Sequence, residues 1–355
     1  MMFTERTKSY TGFLKPPAGE FYCADVLRIL PEIQERFSGQ FKLIYLDPPF
    51  MTGRDFYAQM PVGEAGYAGK RAYYATFPLY SDTWESLEEY LGFLRAVLLG
   101  VKDLLCPDGV ICLHADRHAN AHLRLLLDEI FGEKSFINEI IWHYHSGGGA
   151  KNAFPAKHDT LLLYGRTPKV TIHPADAGYM RTDAKRNHMK RNVDETGRVY
   201  FSIRSNNKEY RYYEDEKIAY DDVWDIPHLQ QKHPERTGFG TQKPLELLDR
   251  LVLSCTSEGD LVGDLFAGSG TTLISACRNG RRFLGVDHST VSLLTIRRRL
   301  ASEEGIDLTV YQPVEPADPV SVSIHRVPRD TRTEIAVTAY QPLDLAKCLP
   351  DYTDG

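Results

Sequence analysis

The chain contains no apolar run approaching the roughly 20 residues needed to cross a bilayer, so nothing in it reads as a membrane span. Cysteine is sparse. Cys23, Cys106, Cys112, Cys255, Cys277 and Cys348 are scattered, with no Cys-x-x-Cys pair and no Cys/His group at zinc spacing. They read as reduced thiols, and no metal is expected. Met1 to Lys8 is polar and charged and lacks the basic start and apolar stretch of a secretory leader, which predicts a cytoplasmic protein. An excess of positive charge is missing too. The formal net charge of -6 excludes a uniformly basic nucleic-acid binder and leaves a local patch as the route to such contacts. Arg181, Lys185, Arg186, Lys190 and Arg191 supply one, with Asp183 the single acid among them. There is no repeat at solenoid spacing.

What is present is an alternation of apolar runs with helical periodicity, the pattern of a sheet covered by helices on both faces. Residues 41 to 46 read as a strand. Trp84, Leu87, Leu91, Leu94, Leu98, Val101 and Leu105 recur at three- and four-residue spacing and predict a long amphipathic helix capped by Ser81-Asp82. Pro107-Asp108-Gly109 turns the chain into a strand at Val110 to His114, followed by a helix carrying Leu123, Leu126, Leu127 and Ile130 that ends near Gly132. Ile137 to Tyr144 and Thr160 to Tyr164 read as strands joined by a loop with Gly147, Gly148 and Gly149. Between about 167 and 235 the periodicity fades, and charges, asparagines and tyrosines take over. The α/β pattern resumes at Lys243-Pro244, with a helix carrying Leu247, Leu248 and Leu251 and a last helix over Ser289 to Leu300. Four segments follow: 1–166, 167–235, 236–305 and a proline-rich extension, 306–355, with short β-like runs at Val320 to Ile324 and Ile335 to Val337.

Two strand ends stand out. Ile44-Tyr45-Leu46 runs into Asp47-Pro48-Pro49-Phe50, where two prolines fix the backbone and leave carbonyls beside a carboxylate. Such a turn offers acceptors to an amino group, and Phe50 offers a flat face to an aromatic ring. The second strand ends at Asp264-Leu265-Phe266-Ala267-Gly268-Ser269-Gly270-Thr271-Thr272, a turn in which small residues let the backbone approach a cofactor. It is not a phosphate loop, because Thr271-Thr272 stands where Lys-Ser/Thr is required. A nicotinamide dinucleotide is the second choice, since Leu273 takes the place of the third small residue. Asp287, ending the next strand, is placed to bond ribose hydroxyls of either cofactor or to cap the following helix. His143, His145 and His158 surround the glycine loop, but their spacing lacks His-x-x-x-His and no nearby acid completes a metal set.

These motifs resemble the amino-methylating DNA methyltransferases, which act on adenine N6 or cytosine N4. Asp47-Pro48-Pro49-Phe50 is similar to their catalytic signature, and Phe266-Ala267-Gly268-Ser269-Gly270 to their cofactor loop. Phe21-Tyr22-Cys23-Ala24-Asp25, Leu105 to Gly109, Phe136 to Trp142, Asp222 to Pro227 and Thr241-Gln242-Lys243-Pro244 add to the likeness, which covers most of residues 20 to 300. With the catalytic motif ahead of the cofactor loop, the order resembles the permuted β class, whose target-recognition region lies between the halves, as 167–235 does here. Phe50 replaces the commoner tyrosine, keeping the stacking face without the hydroxyl, and Asp287 replaces the commoner glutamate.

The resemblance implies a Rossmann-like α/β fold with a seven-stranded, mostly parallel sheet, and S-adenosylmethionine as cofactor. Its residues would be Asp25, Lys243, Pro244, Asp264, Phe266, Ala267, Gly268, Ser269, Gly270, Thr271, Thr272 and Asp287. Catalysis would fall to Asp47, Pro48, Pro49 and Phe50, and DNA contacts to Lys185, Arg186, Lys190 and Arg191. Double-stranded DNA is the implied partner, with a homodimer and a cognate restriction endonuclease left open. Asp in the first catalytic position favours adenine over cytosine N4. An inactive DNA-binding specificity subunit and an RNA amino-methyltransferase remain as alternatives. A cytosine C5 enzyme is excluded, because that chemistry needs a Pro-Cys nucleophile and here Cys106 precedes Pro107.

Overall fold

In the strand Phe41–Leu46, Leu43 and Tyr45 enter one apolar cluster while Phe41, Ile44 and Leu46 enter another, and all five are buried. A strand hydrophobic on both sides belongs inside a sheet covered twice. The computed structural model, which describes residues 3–9, 18–62, 73–145, 151–180, 189–230, 232–303, 307–313, 322–326 and 333–337, places it there. From edge to edge, the sheet runs Phe3–Ser9, Asp307–Pro313, Ala18–Cys23, Arg282–Asp287, Leu261–Asp264, Phe41–Leu46, Leu105–Ala115, His158–Gly165, Phe136–His143 and Val223–Asp225. Pairing is parallel throughout, except that Phe3–Ser9 and His158–Gly165 run against their neighbours. The seven expected strands are the run from Ala18–Cys23 to Phe136–His143, and three more widen its edges to ten.

Helices Val26–Phe37, Leu87–Leu104 and Asn120–Phe131 bury Ile29, Leu94, Leu98 and Leu123 on one face of this sheet. Helices Leu245–Cys255, Thr271–Arg278 and Thr290–Ala301 bury Leu248, Leu251, Leu273 and Ile296 on the other. The long helix does not begin at Ser81-Asp82 as its spacing suggested. Ser86 caps it, accepting the Glu89 N–H at 3.1 Å, while the Glu89 carboxylate takes the Glu85 N–H at 2.8 Å. Asp82 is buried and bonds the backbone of residues 50–52 instead.

A four-stranded antiparallel sheet forms from Asp55–Val62, Tyr73–Ser81, Val322–Arg326 and Thr333–Val337. Of the extension's β-like runs, residues 322–324 and 335–337 lie in these strands. Within 167–235, Lys190–Val193, Val199–Ser205 and Lys208–Tyr213 make a three-stranded antiparallel sheet. Tyr179–Met180 pairs with Lys217–Ile218, and Val223–Asp225 rejoins the main sheet beside Phe136–His143. The glycine loop (Gly147, Gly148, Gly149), Arg181, Lys185 and Arg186, and Cys348 lie outside the described residues; the other five cysteines are free thiols. No described helix is long and apolar enough to cross a membrane.

Candidate active site

Parallel strands deliver their carboxyl ends to one edge of a sheet, and four neighbours here end in the residues of interest. Ala18–Cys23 leads to Asp25, Arg282–Asp287 ends on Asp287, Leu261–Asp264 on Asp264, and Phe41–Leu46 runs into Asp47. The cavity along this edge measures about 660 Å³, the size of a site for a nucleoside-bearing small molecule. It is lined by Asp25, Asp47, Pro48, Pro49, Phe50, Lys243, Asp264, Phe266, Ala267, Gly268, Ser269, Thr271, Thr272 and Asp287. The two motifs, far apart in sequence, therefore share one chamber.

Asp47 stands between Lys243 and the buried His114. Its Oδ2 is 3.1 Å from Lys243 Nζ, whereas its Oδ1 is buried with no hydrogen-bond partner among the described residues. Behind it His114, wholly buried, has Nδ1 3.8 Å from Asp47 Oδ1 and 2.7 Å from the Tyr45 hydroxyl, while its Nε2 lies 3.2 Å from Asp159. Burial opposes a charge on Asp159, yet the bond from His114 and the cations around it hold that carboxyl down to about 2.

The turn after Asp47 is clamped from a place the motifs do not reveal. Asp82 accepts the backbone N–H groups of Phe50, Met51 and Thr52 at 3.2, 2.8 and 2.9 Å, plus the Thr52 hydroxyl and the Trp84 indole N–H. The Tyr90 hydroxyl donates to the Pro49 carbonyl at 2.9 Å. These bonds hold the backbone of residues 50–52 and the Pro49 carbonyl. The sequence reads Asp82 as a helix cap and gives Tyr90 no role, because no spacing connects either to Asp47.

The glycine turn is organised by the two acids beside it. Asp264 accepts the Phe266 N–H at 3.0 Å and the Thr272 hydroxyl at 2.6 Å, closing the loop onto its own strand. Burial pushes the Asp264 carboxyl up to about 7 against those two bonds. Asp287 accepts the N–H of Gly268 and of Ser289, both at 2.8 Å, and burial raises its carboxyl as well. Ser289, rather than Asp287, caps the final helix. Gly270 adopts φ 78° as the residue before helix Thr271–Arg278, and a Cβ there would lie 2.5 Å from Ile296 Cγ1. Only glycine fits that contact. Gly270 thus supports the turn from behind and does not line the cavity, nor does Pro244, which precedes helix Leu245–Cys255 as its N-cap. Asp25 lines the cavity while its side chain caps helix Val26–Phe37 through the Arg28 N–H at 3.1 Å.

Lys190 and Arg191 are exposed on the three-stranded sheet of the central segment and do not line the cavity. His143 and His145 do meet an acid. His143 Nδ1 and His145 Nε2 lie 3.1 and 3.0 Å from Asp225 Oδ1, which the parallel strand Val223–Asp225 brings alongside. The expectation that no acid completes this set is corrected: Asp225 is distant in sequence and visible only through strand pairing. Each histidine bonds Asp225 at the surface and the two rings meet edge to face, which accounts for their convergence. His228, packed on Trp142 and Tyr144 and lining the cavity, is pushed down to about 4 by burial and the nearby Lys243.

Residues 41–295 match the N6/N4 methylase family model, described as DNA methylase. The chain belongs to that family. Family relatives include the type II methyltransferase M.EcaI of Enterobacter cloacae, 28% identical over 73% of this chain and 64% of its own length. M.HpaI of Haemophilus parainfluenzae is 25% identical over 84% of this chain and 81% of its own. The DNA adenine methyltransferase YhdJ of Escherichia coli (strain K12) is 25% identical over 76% of this chain and 80% of its own. Among solved structures, the cytosine-N4-specific PvuII DNA methyltransferase shares the fold, with a TM-score of 0.52 over 81% of this chain and 90% of its own at 15% identity.

Proposed function

We propose that this chain transfers the methyl group of S-adenosylmethionine to adenine N6 of a base flipped out of duplex DNA. The observation that carries this reading is that Asp47, Pro48 and Phe50 line the same cavity as the glycine turn. S-adenosylmethionine, when bound, supplies an electrophilic methyl group. The cavity suits it: Phe266, Ala267, Gly268 and Ser269 form one wall, and Asp25 and Asp287 line the same space.

An exocyclic amine is a poor nucleophile because its lone pair is delocalised into the ring. The Asp47 carboxylate and the Pro48 carbonyl accept its two N–H bonds, drawing the nitrogen toward tetrahedral geometry with its lone pair facing the methyl group. Phe50 replaces the stacking lost when the base leaves the duplex. As the nitrogen gains its new bond it becomes cationic, and the Asp47 carboxylate stabilises that charge before the extra proton is lost. No covalent enzyme intermediate is needed.

Adenine is favoured over cytosine by Asp47 in the first motif position and by the likeness to a named adenine methyltransferase. Residues 167–235 serve as the target-recognition region, a role supported by the exposed, basic and tyrosine-rich sheet they form. Across that sheet Lys190, Ser202 and Arg211 stand in register, with Tyr210 and Tyr212 exposed nearby. Double-stranded DNA in the cytoplasm of a prokaryotic or phage-infected cell is the substrate. A homodimer and a paired restriction endonuclease are compatible with the family and supported by no contact here. Single-molecule sequencing of DNA from cells expressing the protein tests the proposal: one modified motif with methyl on adenine N6 is expected, and no modified motif would reject it.

Neutralising Lys185, Arg186, Lys190 and Arg191 together is expected to weaken duplex binding. The slope of log affinity against log salt should flatten by about 0.9 for each phosphate contact removed. Fluorescence anisotropy across a salt series measures this. Unchanged binding would move the DNA surface to another part of the molecule.

A further inference from the structure

The position expected for the target amine is already taken by a side chain of the protein. Lys243 Nζ lies 3.1 Å from Asp47 Oδ2 and 5.1 Å from the centroid of the Phe50 ring, over its face. An ammonium donating to Asp47 above Phe50 makes two of the contacts that the proposed function gives to the flipped base, the carboxylate and the ring face. Lys243 is itself mostly buried, at 12% side-chain exposure, so this is a seated position and not a solvent excursion. The sequence resemblance had placed it among the cofactor residues; its structural partners are those of the substrate.

Two physical conflicts follow once a base arrives. The Phe50 face cannot hold an ammonium and a purine ring in the same place. In addition, the amine becomes cationic as the methyl group is transferred, and a second cation bonded to the same carboxylate would oppose that charge. We propose that Lys243 is a placeholder: its ammonium neutralises Asp47 and covers Phe50 while no base is present, and the flipped base displaces it before methyl transfer. The acceptor is thereby kept oriented, and the buried carboxylate is never left without a cation or an amine beside it. The proposal rests on the methyl-transfer reading and names a positioning residue for it.

Displacement makes removal of the ammonium favour the base-bound state. Lys243→Met retains an unbranched side chain of similar length without the charge, whereas Lys243→Arg retains the charge. Steady-state methylation of unmethylated phage DNA with radiolabelled S-adenosylmethionine should show KM for DNA falling about five-fold in Lys243→Met and staying near the wild-type value in Lys243→Arg. A duplex carrying 2-aminopurine at the target base, with the site taken from sequencing, should fluoresce more strongly per bound complex with Lys243→Met, since unstacking relieves its quenching. Calorimetric titration with S-adenosylmethionine, which also shows that each variant is folded, should give unchanged affinity. A ten-fold loss of kcat at unchanged KM would mean that Lys243 stays and works beside the base, overturning the placeholder role. A ten-fold loss of cofactor affinity would overturn it in favour of the cofactor assignment. A folded wild-type protein that binds the cofactor but methylates no DNA would instead remove the underlying functional reading, and the placeholder with it.

Discussion

Asp47→Ala is expected to abolish methyl transfer while leaving S-adenosylmethionine affinity close to wild type. The carboxylate lines the cavity beside Lys243 and makes no bond to the glycine turn, so the proposed role gives it to the substrate amine and not to the cofactor. Removing an electrostatic group that acts on the developing charge lowers kcat by about 10²- to 10³-fold. The clamp from Asp82 to residues 50–52 is untouched by the substitution, so the turn itself should persist. A transfer assay and a cofactor titration on the same preparation separate the two effects. Near-normal turnover in the variant would show that Asp47 is not the acceptor.

The second large effect concerns stability. In the unfolded chain Asp264 ionises near 3.8, and in the folded protein burial keeps its proton on until about 7. The folded state therefore binds the extra proton between those values, so stability present below the unfolded pKa is lost as pH rises through this window. At about 1.4 kcal/mol per pH unit the loss reaches at most about 4 kcal/mol. Asp264→Asn keeps an oxygen for the Phe266 N–H and offers an amide N–H to Thr272, but carries no charge. Its stability relative to wild type should rise between pH 4 and 7 and level off above. Urea unfolding at pH 5 and pH 8 measures the difference; equal offsets at the two values would mean that Asp264 does not titrate in this range.

The elements that fix the site were readable because they are local. A strand running into Asp-Pro-Pro-Phe and another into a Gly-Ser-Gly turn carry their chemistry in contiguous residues, and the apolar periodicity around them predicts the covered sheet. The pieces that complete the site come from pairing and packing. Asp82 reads as a helix cap because an acid after serine in front of an apolar helix has that local meaning, yet the hairpin Asp55–Val62 with Tyr73–Ser81 carries it across to residues 50–52. His114 reads as an ordinary strand residue, and its place behind Asp47 depends on which strand adjoins Phe41–Leu46. The same holds for Asp225, whose meeting with His143 and His145 depends on one added parallel strand. Lys243 is the sharpest case. Its motif was recognisable, but its contacts with Asp47 and Phe50 follow from the meeting of two halves of the chain.

The central claim, methyl transfer to an amino group of DNA, is tested most directly by incubating the purified protein with unmethylated DNA and deuterium-labelled S-adenosylmethionine. The DNA is then digested to nucleosides and the products identified by mass spectrometry. The expected product is labelled N6-methyldeoxyadenosine, absent from a parallel reaction with Asp47→Ala. Labelled N4-methyldeoxycytidine alone would reassign the base and keep the mechanism. No labelled nucleoside, from a protein shown to bind both DNA and cofactor, would contradict the account.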